Sequence, residues 1–161
     1  MRLADPVIVH ESEHIVQCLV TDEVSCGWLD LSDATQLPTQ AALLQQLSGA
    51  VTAFYKDMAA RGHKDRVLLM TFSEFGRRAH ENGSRGTDHG AASCLFVAGP
   101  SVRGGVVGGH PSLADLDAGD LKFHTDFRRV YATLLDVWLG CDSKAVLGAK
   151  WDHVQALEPR V

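Results

Sequence analysis

The sequence predicts an α/β domain in which helices pack on a mainly parallel sheet. Two observations carry that reading. The runs VLLMTF (67–72) and SCLFVAG (93–99) are apolar without alternation, as expected of strands covered on both faces. Helical periodicity stands on either side of them, so the order is helix, buried strand, loop, buried strand, helix.

The elements follow in chain order. Residues 1–38 are weakly patterned and acidic, with one short strand expected at HIVQCLV (14–20). Residues 39–161 form the α/β domain proper. An amphipathic helix is expected over 40–61, because Leu43, Leu44, Leu47, Val51, Phe54, Tyr55 and Met58 recur at three- and four-residue steps. Thr39 is placed to cap its start, and Gly62 to take the left-handed conformation at its end. The polar link HKDR leads into strand 67–72, and the loop 73–93 leads into strand 94–99, closed by Gly99-Pro100. Glycine-rich turns fill 101–112. A last helix covers about 126–139, with Phe127, Val130, Tyr131, Leu134, Leu135 and Trp138 on its apolar side and Gly140 as its stop.

Composition narrows the class. The 161 residues are 45% hydrophobic and 22% charged, with a net charge of −5, which fits one soluble globular domain. An acidic balance and the absence of any long run of like charge argue against a nucleic-acid partner. No stretch approaches the roughly 18 apolar residues of a membrane span, so no membrane partner is expected. The N-terminus lacks the cationic and apolar regions of an export signal, which as written predicts a cytoplasmic protein. Cys18, Cys26, Cys94 and Cys141 never form CxxC and read as scattered small hydrophobes.

Chemistry concentrates in SEFGRRAHENGSRGTDHG (73–90). Loops at the carboxyl ends of buried strands are where α/β sheets place ligands, and a loop this long usually has a task or is disordered. Glu74 stands at the tip of the first strand, and Asp88 and His89 just before the second. If the strands are neighbours, these donors converge as a set suited to a divalent metal such as zinc, calcium or magnesium. Gly86 and Gly90 flank the pair and allow close backbone approach. Arg77, Arg78 and Arg85 suit a phosphate or sulfate anion, which a guanidinium grips bidentately. Blander readings stand beside these. Asp88 can cap a turn, His89 can be a polar residue beneath the loop, Glu74 can pair with Arg77 or Arg78, and the arginines can be solvated surface. His110, and His124 at the start of HTDFR, are secondary candidates.

TFSEFGRR, ENGSRGTDHG, FVAGPSVRGG and HTDFRRVYATLLDVWLG, four blocks in order, resemble the family catalogued as domain of unknown function 1501. Its members are mostly exported bacterial proteins, and the resemblance spans about residues 34–148. It implies an alkaline phosphatase and sulfatase-like fold, of which this chain resembles the C-terminal half. In that superfamily a strand tip and a later His-Gly carry metal ligands, places that Glu74 and His89-Gly90 resemble. Phe75 stands where a ligand His is usual. Asp126 and the run Tyr131-Ala132-Thr133-Leu134-Leu135 resemble a further segment. The family's Asp-Thr-His before ATQLPT reads Leu31-Ser32-Asp33 here without gaps, and Asp30 takes the Asp place with a one-residue slip, so Asp30 and Asp33 join the metal-ligand candidates. Gln40 stands where a His is usual.

The resemblance implies a metal-dependent phosphate or sulfate ester hydrolase, incomplete as a catalyst because the half bearing the nucleophile is absent. Ser73 is the nearest substitute hydroxyl. The alternative is a non-catalytic anion- or metal-binding module, or one half of a split or dimeric hydrolase, since half a sheet leaves an edge strand open to a homodimer partner or to a missing N-terminal half.

Overall fold

The computed structural model describes residues 7–11, 14–18 and 36–158. Asp30, Asp33 and the altered LSD segment lie outside the described residues. The N-terminal part holds a ladder of β1 (Val7–Glu11) and β2 (His14–Cys18), antiparallel with Val9 opposite Val16, so a strand stands within the span where one was expected.

Helix α1 runs Gln36–Ala60, starting four residues earlier than expected. Thr39 therefore lies inside the helix and is not its cap. Pro38 is tolerated there because the first-turn N–H it lacks would have no intrahelical partner anyway. At the other end Gly62 takes φ +74°, its N–H donates to Ala59 O, and His63 N–H donates to Met58 O. The helix stops where the sequence indicates, through a glycine free to enter the left-handed region.

A 3-10 turn (Lys64–Arg66) leads to β3 (Leu69–Met70), which pairs with β6 (Val97–Ala98). The two expected strands are neighbours, but the ladder is antiparallel, with Leu69 opposite Ala98. Between them β4 (Gly76–Glu81) and β5 (Thr87–Gly90) form a third antiparallel ladder, and after them β7 (Leu116–Asp117) with β8 (Asp120–Leu121) a fourth. The described strands thus form four separate two-stranded ladders where a mainly parallel sheet was expected. The class is mixed α/β, with antiparallel pairing.

The expected full burial of 67–72 and 94–98 is also corrected. Val67 is buried, but Leu69 and Met70 are half-buried, Phe72 is 69% exposed and Phe96 57%. A two-strand ladder has two faces and two edges. α1 reaches this one through Tyr55, whose hydroxyl donates to Ala98 O at 2.5 Å.

The core lies at the C-terminal end. Helix α2 (Phe127–Thr133) continues as a π-helical stretch (Leu134–Leu139), and Gly140 ends it at φ +65°. After α3 (Ser143–Leu147), residues 151–158 fold back along α2. Ala132 and Trp138 are buried with Val154, Ala156 and Leu157 of this returning strap. The strap is pinned at both ends of its course. Arg129 donates from Nε to Asp152 O at 3.1 Å, Arg103 N–H donates to Ala156 O at 2.9 Å, and Glu158 N–H donates to Ser101 O at 2.8 Å. Phe127, expected on the apolar side of the last helix, faces outward and meets Tyr131 edge-on at 5.3 Å. Cys94 and Cys141 are free and exposed, so neither is a buried small hydrophobe. Among the described residues no helix is long and apolar enough to cross a membrane.

Candidate functional site

The segment expected to be a long loop is a hairpin. Asn82 builds its turn: its side-chain oxygen accepts from Ser84 N–H and Gly86 N–H, both at 3.0 Å, its own N–H donates to Gly86 O at 2.9 Å, and Arg85 sits at φ +64°. At the open end Gly76 stands opposite Gly90 and Arg77 opposite His89, with a register shift between Arg77 and Glu81. Both glycines are required. A Cβ on Gly76 would lie 1.5 Å from Ala92 O, and one on Gly90 would lie 2.6 Å from the Arg77 carbonyl carbon.

This pairing gathers part of the expected site. The His89 ring stacks on Phe75 with centroids 3.7 Å apart and planes 12° from parallel, and the Arg77 guanidinium lies 5.5 Å from the Phe75 centroid. Phe75 therefore gives the His89 ring a flat face to stack on. The sequence carried no signal for that contact, because nothing in FGRR states which residue the ring will meet.

The other expected residues are placed differently. β3 ends at Met70, so Glu74 sits in the exposed link 71–75 and not at a strand tip. Ser73 Oγ donates to Phe75 O at 2.7 Å, a local turn bond that supplies no general base to activate the hydroxyl. Asp88 accepts from Asn82 Nδ2 at 3.1 Å, close to the turn role weighed for it. Arg77 donates to Thr87 O at 2.9 Å. Arg78 reaches across to β7–β8, where it donates to Ala118 O and stands 3.8 Å from Asp120. His124 is exposed, and a Cβ on Gly109 would lie 3.1 Å from its ring, so it borders the glycine-rich turn at 108–109. Asp126 caps α2: its carboxylate accepts from Arg128 N–H and from Nε, both at 2.9 Å, and from Nη2 at 2.6 Å. The Arg128 guanidinium holds that carboxyl well below the usual range, at about 2.

A metal ion needs three or four donors converging on one point. Among the described residues no group of three or more His, Cys, Asp or Glu side chains could hold one. The described donors alone therefore do not fit a divalent metal; Asp30 and Asp33 lie outside the described residues. Beside the hairpin is an open hollow of about 370 Å³, bounded by Ala91, Asp117, Asp120, Leu121, Lys122 and Phe123. Lys122 pairs with Asp115 at its rim.

One cluster escaped the sequence reading. Asp136 pairs with His153 Nε2 at 2.6 Å and accepts from both the N–H and the hydroxyl of buried Ser143 at 2.8 Å. His153 first, then the Ser143 N–H, hold the Asp136 carboxyl below its ordinary value. The hydroxyl bonds the carboxylate and not the imidazole, so this is no nucleophile and base pair. It staples α3 and the strap to the last helix.

No curated protein and no solved structure matches the chain. The family described as "Protein of unknown function (DUF1501)" matches residues 32–157, which covers the hairpin, both C-terminal helices and the strap almost to its end. The chain belongs to that family.

Proposed function

We propose that the chain is a hydrolase-like domain that carries part of a site for a phosphate or sulfate ester and does not complete a catalytic centre alone. The observation behind this reading is the β4–β5 pairing, which sets His89 opposite Arg77 and holds its ring on Phe75. Metal-assisted ester cleavage needs a bound cation, an activated nucleophile and a group that stabilises the developing charge. In this reading His89 and its cross-strand neighbour Arg77 supply one edge of such a site, while Asp88, next in the strand, leans toward Asn82. Further donors, from Asp30, Asp33 or another chain, would have to complete it, and Ser73 is spent on a turn bond.

The test is an ester screen. Purified chain assayed on aryl phosphates and aryl sulfates, with zinc, calcium or magnesium added in turn, is expected to show no turnover above background. Its metal content, measured without chelators, is expected to stay well below one ion per chain. Metal-dependent turnover of about one per second or faster, abolished by His89→Ala, overturns the proposal.

A further inference from the structure

We propose that Asn82–Gly83, at the turn of the β4–β5 hairpin, is a site of spontaneous deamidation that opens only when the hairpin opens and whose products cannot rebuild the turn. Asn82 is the one asparagine among the 161 residues, and a glycine follows it. The glycine nitrogen is the least hindered backbone nucleophile a chain offers, because no side chain stands beside it. Gly83 is exposed, and a Cβ built on it would meet nothing within 4 Å. The step balances. The Gly83 nitrogen attacks Cγ of Asn82 and a C–N bond forms. The bond from Cγ to Nδ2 breaks, and Nδ2 leaves as ammonia with the proton from Gly83. Water then opens the succinimide ring at either carbonyl, giving an aspartyl or an isoaspartyl link. No oxidant or reductant takes part.

The folded turn withholds this reaction. Asn82 Oδ1 accepts from Ser84 N–H and Gly86 N–H, both at 3.0 Å, and Nδ2 donates to Asp88 at 3.1 Å. Both ends of the amide are therefore tied to atoms other than the Gly83 nitrogen. Ring closure needs Cγ brought onto that nitrogen in one geometry, so the amide must first leave these bonds. The hairpin tip is where that happens. Ser84 and Arg85 are exposed with Gly83, and the pairing is already irregular between Arg77 and Glu81. Segments with an exposed backbone and few buried contacts open locally at a small fraction of the free energy of global unfolding.

Neither product fits the turn. In the aspartyl form an oxygen replaces Nδ2, so a carboxylate faces the Asp88 carboxylate where a donor stood before. In the isoaspartyl form the backbone runs through the former side chain and gains a methylene. The bonds Asn82 N–H to Gly86 O and Arg85 N–H to Asn82 O then lose their spacing, and hairpin register follows loop length. His89 comes directly after Asp88 in β5, so the disturbance reaches its stack on Phe75. The modification depends on the turn alone and not on the ester-site reading.

Ageing of the full chain in mildly alkaline buffer, with and without denaturing urea, tests this. Conversion is read by intact mass and by hydroxylamine, which cuts the succinimide to release residues 1–82 and 83–161. The folded chain is expected to convert roughly ten times or more slowly than the chain in urea, where no turn holds the amide. Asp88→Ala removes the acceptor of Nδ2, so it should speed conversion severalfold in buffer and leave the rate in urea unchanged. If that variant fails to fold, the wild type answers: across urea below the unfolding transition, conversion should rise in parallel with hydrogen exchange at the Gly86 N–H. The aged chain and Asn82→Asp should both shift the His89 and Phe75 ring resonances by NMR. No conversion in urea, equal rates in buffer and urea, conversion that ignores both Asp88→Ala and Gly86 exchange, or ring resonances unmoved in the aged chain overturns the proposal.

Discussion

Thr133 shows how one hydroxyl can hold two elements. It is buried within α2, donates to Arg129 O at 2.8 Å, and accepts the buried N–H of Val154 at 2.9 Å. Thr133→Val keeps the shape and removes that acceptor, leaving a buried donor unpaired. The expected loss is about 1–3 kcal/mol in urea unfolding, whereas Thr133→Ser should lose less because it keeps the hydroxyl. Asp136 makes a pH-dependent prediction. Its carboxyl titrates below the ordinary 3.8 in the folded chain, held there first by His153 and then by the Ser143 N–H. A depressed carboxylate stabilises the fold fully above the unfolded value, and that contribution fades as pH falls through the lower folded value. Thermal unfolding followed below pH 3.8 should therefore decline more steeply for the wild type than for Asp136→Asn, which has no carboxyl to protonate there. Equal slopes would remove the linkage.

Among the elements, the hairpin β4–β5 depends most on single residues. Its strands approach closely because Gly76 and Gly90 face each other, and a methyl group on either meets backbone. Backbone cannot swing aside as a side-chain tip can. Gly76→Ala should therefore cost about 1–3 kcal/mol or more, read as a lowered unfolding midpoint, and should disturb the His89 and Phe75 ring resonances by NMR. Gly49→Ala, where nothing lies within 4 Å of the new methyl, is the matched control and should be neutral or stabilising in its helix. Part of this element was legible beforehand. Gly90 beside the Asp-His pair indicated close backbone approach, and the structure has it. The hairpin itself was not, because its turn rests on Asn82 bonding two N–H groups, and an Asn in a polar run is compatible with many turns.

For the molecule as a whole, stability rests on the returning strap. Among the described residues, most of the buried apolar side chains come from it or from the helix beneath it, while α1 and the residues flanking β3 and β6 leave large apolar groups in solvent. Ending the chain at Lys150 would remove Val154, Ala156 and Leu157 and uncover Ala132 and Trp138. That deletion is expected to abolish the cooperative thermal transition while leaving α1 helical by circular dichroism. A retained sharp transition would show that the core lies elsewhere. What the sequence determined by itself is local. The stops of both long helices, the strand character of 69–70 and 97–98, and the family follow from periodicity, glycine positions and short motifs, which act over a few residues. The tertiary structure alone decided the pairing direction of the ladders, the stack of His89 on Phe75, the commitment of Arg78 to Ala118 and Asp120, and the Asp136–His153–Ser143 staple. Those depend on which distant segments meet, and an apolar run or a lone charged residue looks the same in sequence whichever neighbour it finds.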